Sequence, residues 1–254
     1  MKKISILMSG GFFSFYAHAG FLKAVEETGI TPDSLGGSSA GGLIGGIRAA
    51  GVSPDMIQEF LKNLRTADFF DLKWPWQVNL IEVVKKKSGL LKGESFKRYL
   101  SDLLPYHTFE ESPHPCCMVA KDADTSELVV LQEGDLVNAI YAASAVPYMF
   151  EPSRENGRVL IDGGYTNKAP IQALYDLSHP DLIIVHYIQK NSKRHASLYQ
   201  QYLAERESVE RAGCSVIEIM LHEKTRVYPF LLGRGEKAMQ EAHDNARRTL
   251  DVLL

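Results

Sequence analysis

Residues 37–41 read G-S-S-A-G, and the apolar stretch G-L-I-G-G-I follows them at 42–47. A G-x-S-x-G pattern followed by such a stretch predicts a serine on a sharp turn at the start of a helix. Gly37 and Gly41 allow the backbone to bend tightly and to pack closely. The helix start directs its free N–H groups at any negative charge that forms nearby. We therefore expect Ser39 to have the geometry that a serine nucleophile needs.

The composition of the chain is that of an ordinary globular protein. Of the 254 residues, 45% are hydrophobic and 23% are charged, and both values are near the globular average. We find no internal repeat and no long linker, so we predict a single domain over residues 1–254. The net charge of −3 gives no reason to expect nucleic-acid binding.

The first residues and the cysteines bear on the location of the protein. The apolar run at 4–8 stops at Ser9, so it is shorter than the core of a signal peptide, and we interpret it as a strand. The three cysteines, of which Cys116 and Cys117 are adjacent, fit neither a disulfide framework nor a metal site. Buried, reduced cysteines favour a reducing compartment. We expect a cytoplasmic protein, with or without peripheral contact with a membrane.

Strand and helix patterns alternate along the chain. Strands are predicted at 4–8, 116–120, 128–131, 159–161, 182–188 and 216–220. Helices are predicted at about 17–28, from the serine turn to near 51, at 54–64, up to 104, around 205–207 and after 235. This alternation predicts an α/β fold, a three-layer α/β/α sandwich around a mostly parallel central sheet.

Two further glycine motifs follow predicted strands. Gly10 and Gly11 come after the first strand, where a glycine loop can present N–H groups to an oxyanion. Asp162, Gly163 and Gly164 end the strand at 159–161, and ligand-facing residues collect at the strand ends of a parallel sheet. A lone G-x-S-x-G is a weak signal, since it also fits a tight packing turn, but these motifs favour a serine-based site.

Together these motifs resemble the patatin-like phospholipase family, from about residue 4 to residue 174. The matching pieces are, in the family's order, S-G-G at 9–11, H-A-G-F-L-K-A at 18–24, G-S-S-A-G at 37–41, A-S-A-V-P at 143–147 and L-I-D-G-G at 160–164, with Asn167 and Pro170 behind them. The resemblance implies a lipid acyl hydrolase with Ser39 as nucleophile and Asp162 as dyad aspartate. It also implies that Gly10 and Gly11 form the oxyanion loop, that the substrate is a lipid or acyl ester, and that no metal or organic cofactor is needed.

The loop after Gly11 departs from the family pattern of three glycines, a variable residue, a basic residue and a further glycine. Phe12, Ser14 and Phe15 take the places of the third glycine, the basic residue and the last glycine. A position that needs a positive φ is costly for phenylalanine, although its N–H can still serve an oxyanion. We expect Gly10, Gly11 and Phe12 to form the oxyanion hole of an active hydrolase with altered efficiency or selectivity. The sequence offers no replacement for the missing positive charge.

The phenylalanines of this loop have two interpretations, an apolar wall for an acyl chain or core packing under the first helix.

A base at Asp162 requires a particular environment in the pocket. An aspartate with an ordinary pKa near 3.9 is a weak base toward a hydroxyl. The pocket must therefore desolvate Asp162 and stabilise the oxyanion.

Two alternatives stay open. The first is an α/β-hydrolase esterase with a triad histidine, because His186, His222 and His243 follow Asp162 in the appropriate chain order. Such a fold builds several strands before its serine turn, whereas one clear strand precedes Ser39 here. The second is a non-catalytic, lipid-binding module in which the altered loop has lost its hydrolytic role.

An aromatic and basic stretch lies between the predicted helices. Phe69, Phe70, Trp74 and Trp76 precede the lysines at 85–87. These residues could form a lid or an edge that dips into a membrane with anionic headgroups. We favour a packed aromatic cluster beside a solvated lysine run, because tryptophan is usually well buried.

Three other polar residues have structural interpretations. Asp122 and Asp124 have the look of a metal pair, but they lie between two strands, so we expect turn residues. For His18 we expect packing within a helix, with one ring nitrogen hydrogen-bonded. We therefore predict no metal site.

Overall fold

The computed structural model of the chain describes residues 2–85 and 87–253. The strands are β1 (Ile4–Met8), β2 (Ser34–Ser38), β3 (Gly89–Leu91), β4 (Cys116–Asp122), β5 (Leu128–Leu131), β6 (Tyr148–Phe150), β7 (Ser153–Glu155), β8 (Arg158–Asp162), β9 (Leu182–Gln189) and β10 (Ser215–His222). The helices are α1 (Phe15–Glu26), α2 (Ala40–Ala49), α3 (Pro54–Asn63), α4 (Leu80–Val84), α5 (Glu94–Leu103), α6 (Leu136–Ser144), α7 (Ile171–Ser178), α8 (Lys193–Arg211) and α9 (Gly235–Leu253).

The central sheet has the strand order β10-β9-β1-β2-β4-β8-β7, and β5 also pairs with β4. Neighbouring strands from β10 to β4 run parallel. At the other side, β5 and β8 are antiparallel to β4, and β7 is antiparallel to β8. A separate pair, β3 with β6, is parallel. The prediction of a mostly parallel central sheet is confirmed. The antiparallel edge that contains β8 was not predicted from the sequence.

Helices cover both faces of the sheet, as the alternation of side chains along β1 shows. Ile6 and Met8 pack in a core with residues of α1, α2, α3, α6 and α9. Leu7, between them, belongs to a second core with residues of α7 and α8. Because both faces are covered, a central strand such as β9 is buried along nearly its whole length. The predicted three-layer α/β/α sandwich is confirmed.

The first helix begins earlier than the sequence predicts. A 3-10 turn at Phe12–Ser14 leads directly into α1, which starts at Phe15 rather than near Ala17. The helix ends at Glu26, and Gly29 follows with a φ of +81°. Because α1 starts early, the loop after β1 is short and leads directly into the helix.

The cysteines are buried thiols, as the sequence predicts. Cys116 and Cys117 lie on β4, and Cys214 precedes β10. Burial raises the pKa of Cys116 to about 12. Thiols with such a high pKa are unreactive, which fits a role as small apolar core residues.

The register of the sheet gathers the predicted motifs. β1 ends beside β2, so the loop at 9–11 adjoins the serine turn. Across β4, Ser38 pairs with Val119, and Asp162 pairs with the next residue, Ala120. The end of β8 therefore lies near the serine turn. The sequence motif at 162–164 suggested the end of a parallel strand, but β8 is antiparallel to β4.

Candidate active site

Ser39 lies on the sharp turn that the G-x-S-x-G pattern predicts. The turn joins β2 to α2, and Ser39 has φ 51° and ψ −122°, a conformation that L-residues rarely adopt. A Cβ at Gly41 would lie 1.9 Å from the carbonyl oxygen of Met8, and one at Gly37 would lie 2.3 Å from the carbonyl carbon of Gly41. Glycine at both positions therefore allows β1, β2 and α2 to close around the serine.

The side chains of Ser39 and Asp162 meet, although 123 residues separate them. Ser39 Oγ donates a hydrogen bond to Asp162 Oδ2 at 2.6 Å. The N–H of Gly164 donates to Oδ1 at 2.7 Å. At Gly163 a Cβ would lie 2.4 Å from the carbonyl oxygen of Val119, so this glycine lets the chain turn against β4. The hydroxyl and the carboxylate are within the distance for direct proton transfer.

Burial changes the acidity of Asp162. The residue is 2% exposed, and burial raises its pKa from 3.8 to about 6. The hydrogen bonds from Ser39 and Gly164 and the charge of Arg194 act in the opposite direction. A carboxylate with a raised pKa is a stronger base toward a hydroxyl. The pocket thus desolvates Asp162, as expected for a carboxylate that serves as the base.

The loop after β1 differs from the expectation at Gly10. The N–H of Gly10 donates to the carbonyl oxygen of Lys168 at 2.8 Å, so it is already engaged. For the N–H groups of Gly11 and Phe12, no protein acceptor is found among residues 2–85 and 87–253. The geometry therefore leaves Gly11, Phe12 and the start of α2 as the groups that can face an oxyanion.

Phe12 has a backbone conformation that favours glycine. Its φ is +62°, at the position where the family pattern has a glycine, so the conformational cost expected from the sequence is present. The carbonyl oxygen of Gly11 accepts hydrogen bonds from Ser14 Oγ at 2.6 Å and from Lys190 Nζ at 2.8 Å. Ser14 thus holds the loop, and Lys190 brings a positive charge to it from the end of β9.

An apolar cleft opens at Ser39, and its lining is almost wholly apolar, as is common in sites that bind small apolar molecules. Phenylalanines dominate its lining, namely Phe12, Phe13, Phe15, Phe60, Phe69, Phe96 and Phe150. Phe13 and Phe15 are also buried in the core. Both interpretations of the loop phenylalanines therefore apply, since these two rings pack at the helix start and line the cleft.

A polar cleft also opens at Ser39 and shares Phe12 and Val146 with the apolar one. It contains Asp162 and four residues that the sequence analysis missed, which are Lys168, Lys190, Arg194 and His195. Lys190 directly follows β9, so a polar residue after a predicted buried strand was the one available signal. Lys168 directly follows Asn167 of the last motif, whereas Arg194 and His195 lie beyond every motif, and the fold brings them to the cleft.

None of the three histidines considered for a triad hydrogen-bonds Asp162 in the described part of the chain. His186 is buried beside His18, with their Nδ1 atoms 2.9 Å apart. His222 is exposed at the end of β10, and His243 on α9 pairs with a glutamate that follows α1. His18 packs within α1 as expected, but both of its ring nitrogens have partners, and burial lowers its pKa to about 3. The geometry therefore gives the triad no support.

The prediction of a packed aromatic cluster is wrong for the two tryptophans. Trp74 and Trp76 are 60% and 78% exposed, and their rings stack at 5.2 Å. Phe69 is buried, as predicted. Lys85 is exposed and Lys87 pairs with Asp124, while Lys86 lies outside the described residues. No helix among the described residues is both long enough and apolar enough to cross a bilayer.

Asp122 is a turn residue, as predicted. Its Oδ1 accepts hydrogen bonds from the N–H groups of Asp124, at 2.8 Å, and Thr125, at 3.2 Å. These two hydrogen bonds hold the chain in the turn between β4 and β5. Across residues 2–85 and 87–253, no group of three histidine, cysteine, aspartate or glutamate side chains is arranged to hold a metal ion.

Comparison with known proteins gives one family. A family model described as patatin-like phospholipase matches residues 6–175. An uncharacterised NTE family protein of Mycobacterium tuberculosis is 28% identical over 169 residues, which are 66% of this chain and 44% of that protein. Lysophospholipase NTE1 of Cryptococcus neoformans is 27% identical over 185 residues, which are 72% of this chain and 11% of the fungal protein. The chain thus spans less than half the length of these relatives.

Two solved structures share the fold at low sequence identity. VipD from Legionella pneumophila has a TM-score of 0.58 and 14% identity, with 99% of this chain and 67% of that chain covered. ExoU from Pseudomonas aeruginosa, in complex with SpcU, has a TM-score of 0.55 and 13% identity, with 99% and 52% covered.

Proposed function

Because this chain belongs to the patatin-like phospholipase family, we propose that it hydrolyses acyl esters of lipids with Ser39 as nucleophile and Asp162 as base. The observation that carries this proposal is the hydrogen bond of 2.6 Å from Ser39 Oγ to a buried carboxylate of raised pKa. The apolar cleft beside Ser39 offers an apolar lining for an acyl chain. A lysophospholipase among the relatives supports the same class of substrate.

The reaction proceeds in two steps. Asp162 Oδ2 takes the proton of Ser39 Oγ while that oxygen attacks the ester carbonyl carbon. The protonated carboxyl group then returns the proton to the alcohol oxygen as the carbon–oxygen bond breaks, which leaves an acyl-Ser39. In the second step Asp162 takes a proton from water while the water oxygen attacks the acyl carbonyl carbon. The bond between that carbon and Ser39 Oγ then breaks, Asp162 returns the proton to Ser39 Oγ, and the fatty acid leaves.

The oxyanion of each step is held by backbone dipoles. Gly11, Phe12 and Ser39 line the same cleft, the N–H groups of Gly11 and Phe12 have no acceptor among the described residues, and α2 begins directly after the serine. Donors fixed in advance stabilise a developing charge at no cost of reorganisation, and one such donor contributes about 3 kcal/mol to lowering the barrier. Lys190, through the carbonyl oxygen of Gly11, holds the loop in this arrangement.

We also propose that the protein takes its substrate from a membrane surface. An exposed apolar segment runs over residues 72–84, and its exposed side chains are Leu72, Trp74, Trp76, Leu80, Ile81 and Val84. Phe69, just before this segment, lines the apolar cleft. Tryptophan side chains are favoured at a membrane interface, and the exposed Lys85 would attract anionic headgroups. The segment thus begins close in the chain to a side chain of the cleft lining.

Substitution at the two side chains tests the proposed reaction. Ser39→Ala removes the nucleophile and Asp162→Asn removes the base, so each should reduce turnover of a p-nitrophenyl acyl ester by at least about a thousandfold. Ser208→Ala, at an exposed serine far along α8, is the matched control and should keep the rate. Circular dichroism checks that each variant is folded. Normal turnover by a folded Ser39→Ala protein would refute the mechanism and favour the non-catalytic, lipid-binding alternative.

A further inference from the structure

The polar cleft at Ser39 carries more positive charge than ester cleavage requires. Lys168, Lys190 and Arg194 line it, and Asp162 is the acidic side chain of its lining in the described part of the chain. Glu223 acts on both lysines from outside the lining. Three basic side chains thus meet one carboxylate, which already accepts the hydrogen bond of Ser39.

The three basic side chains are held by carbonyl oxygens and aromatic rings. The guanidinium of Arg194 lies 4.3 Å over the ring of Tyr165 and donates to the carbonyl oxygen of the same residue at 3.0 Å. Lys190 donates to the carbonyl oxygen of Gly11. Lys168 is 3% exposed, donates to a carbonyl oxygen of β9 and lies 4.5 Å over a tyrosine ring. The cleft therefore presents the positive charges of Lys190 and Arg194, which donate to carbonyl oxygens, with Asp162 as the acidic side chain of its lining among the described residues.

The surroundings make positive charge in the cleft costly to hold without an anion. Burial, and then the neighbouring charge of Lys190, lower the pKa of Lys168 to about 7, and burial also lowers the pKa of Lys190. Arg194 and His195 lie in the first turn of the 19-residue helix α8, whose N-terminal end carries a partial positive charge. An anion bound here would relieve the repulsion between the cations and gain charge-assisted hydrogen bonds.

We propose that the polar cleft is a subsite for the phosphate group of a phospholipid substrate, an inference that rests on the proposed function of Ser39. The acyl chain lies in the apolar cleft, the ester carbonyl meets Ser39 where the two clefts join, and the phosphate lies between Lys190 and Arg194. Arginine binds two phosphate oxygens at once, and lysine supplies a compact charge beside them. The subsite makes the protein select phosphate-bearing lipids over neutral acylglycerols.

The test compares two lipids with the same acyl chain and ester. We expect kcat/KM for palmitoyl lysophosphatidic acid to exceed that for monopalmitoylglycerol by about tenfold or more, the size of one charge-assisted hydrogen bond. Arg194→Gln should lower this ratio about tenfold, and Arg194→Lys should restore part of it. Lys193→Gln, at the exposed neighbour on α8, is the matched control and should keep the ratio.

The outcomes separate this inference from the proposed function. Turnover of both lipids with equal kcat/KM, or a ratio that Arg194→Gln leaves unchanged, would overturn the headgroup subsite and leave the hydrolase intact. Turnover of neither lipid, in a folded protein, would overturn the hydrolase and the subsite with it. Inorganic phosphate distinguishes a free anion from a headgroup. Inhibition of p-nitrophenyl ester turnover by phosphate in wild type but not in Arg194→Gln, without a lipid preference, would assign the cleft to the free anion.

Discussion

Asp162 owes its proposed role to its surroundings. Its carboxylate is one hydrogen bond from Ser39, and burial sets its pKa near 6. A general base is most effective when its pKa is near the working pH, because it must be both ionised and basic. Burial therefore moves an ordinarily weak base toward that optimum without a histidine between the two side chains.

The raised pKa of Asp162 predicts the acid limb of the pH profile. Only the deprotonated carboxylate can accept the proton of Ser39, so activity is present above the pKa and is lost as the pH falls through about 6. We expect kcat/KM for a p-nitrophenyl acyl ester to fall tenfold per pH unit below that point. A profile that stays flat down to about pH 4, the ordinary value for aspartate, would contradict this prediction.

Phe12 allows the backbone cost at a positive φ to be isolated. Phe12→Gly and Phe12→Ala both remove the ring, but only glycine adopts a φ of +62° without strain. We expect the glycine variant to have a free energy of unfolding about 1 kcal/mol higher than the alanine variant. Urea denaturation measures the difference, and equal stabilities would show that the loop carries no such strain.

The sequence predicts individual residues well where their signal is local. Ser39, Asp162 and Gly11 each stand in a short motif, and the structure brings all three together. Lys190 was missed because its contact with Gly11 spans 179 residues, and no local pattern encodes such a contact. Gly10 was assigned to the oxyanion hole on its position, but the fold directs its N–H to a carbonyl oxygen instead.

At the scale of elements, apolar runs predict strands and capping residues predict helices. Ser53 accepts a hydrogen bond from the N–H of Met56 at the start of α3, as its position before Pro54 predicts. β2 was not predicted as a strand, because S-L-G-G-S contains glycines that disfavour strands. A Cβ at Gly36 would lie 3.2 Å from Leu174 and 3.3 Å from Leu7, so close packing explains that glycine.

The exposed apolar segment at 72–84 predicts a membrane-binding element. Burial of two indole rings in a lipid interface favours binding, so Trp74→Ala combined with Trp76→Ala should lower affinity for anionic phospholipid vesicles at least tenfold. Co-sedimentation with vesicles measures this. Tyr106→Ala removes an exposed aromatic ring outside the segment and is the control. Equal binding by the tryptophan variant and the control would place membrane contact elsewhere or nowhere.

The whole molecule extends beyond the part that the family model matches. The match ends at residue 175, whereas β9 and β10 add two parallel strands to the sheet, and α8 and α9 cover them. Lys190 and Arg194 belong to this later part, so the polar cleft joins both regions of the chain. We propose that residues 1–254 act as one domain for this reason.

A substitution where α1 packs against α9 tests whether the later part of the chain folds as one domain with the earlier part. A Cβ at Gly20 would lie 2.0 Å from the carbonyl oxygen of Met239, so alanine there must push the two helices apart. We expect Gly20→Ala to lower the free energy of unfolding by about 2 kcal/mol. At Gly233 a Cβ would meet no atom within 4 Å, so Gly233→Ala is the control. Thermal denaturation of both variants gives the comparison, and equal Tm values would mean that α9 is not tightly packed on α1.

Labelling with a fluorophosphonate probe tests the central claim most directly, because the probe reacts only with an activated serine. In folded wild-type protein with lipid present, we predict that peptide mapping finds the label on Ser39. Ser39→Ala should not be labelled, and Asp162→Asn should react at least about a hundredfold more slowly. An unlabelled wild-type protein, or equal labelling rates for wild type and Asp162→Asn, would contradict a hydroxyl activated by this carboxylate.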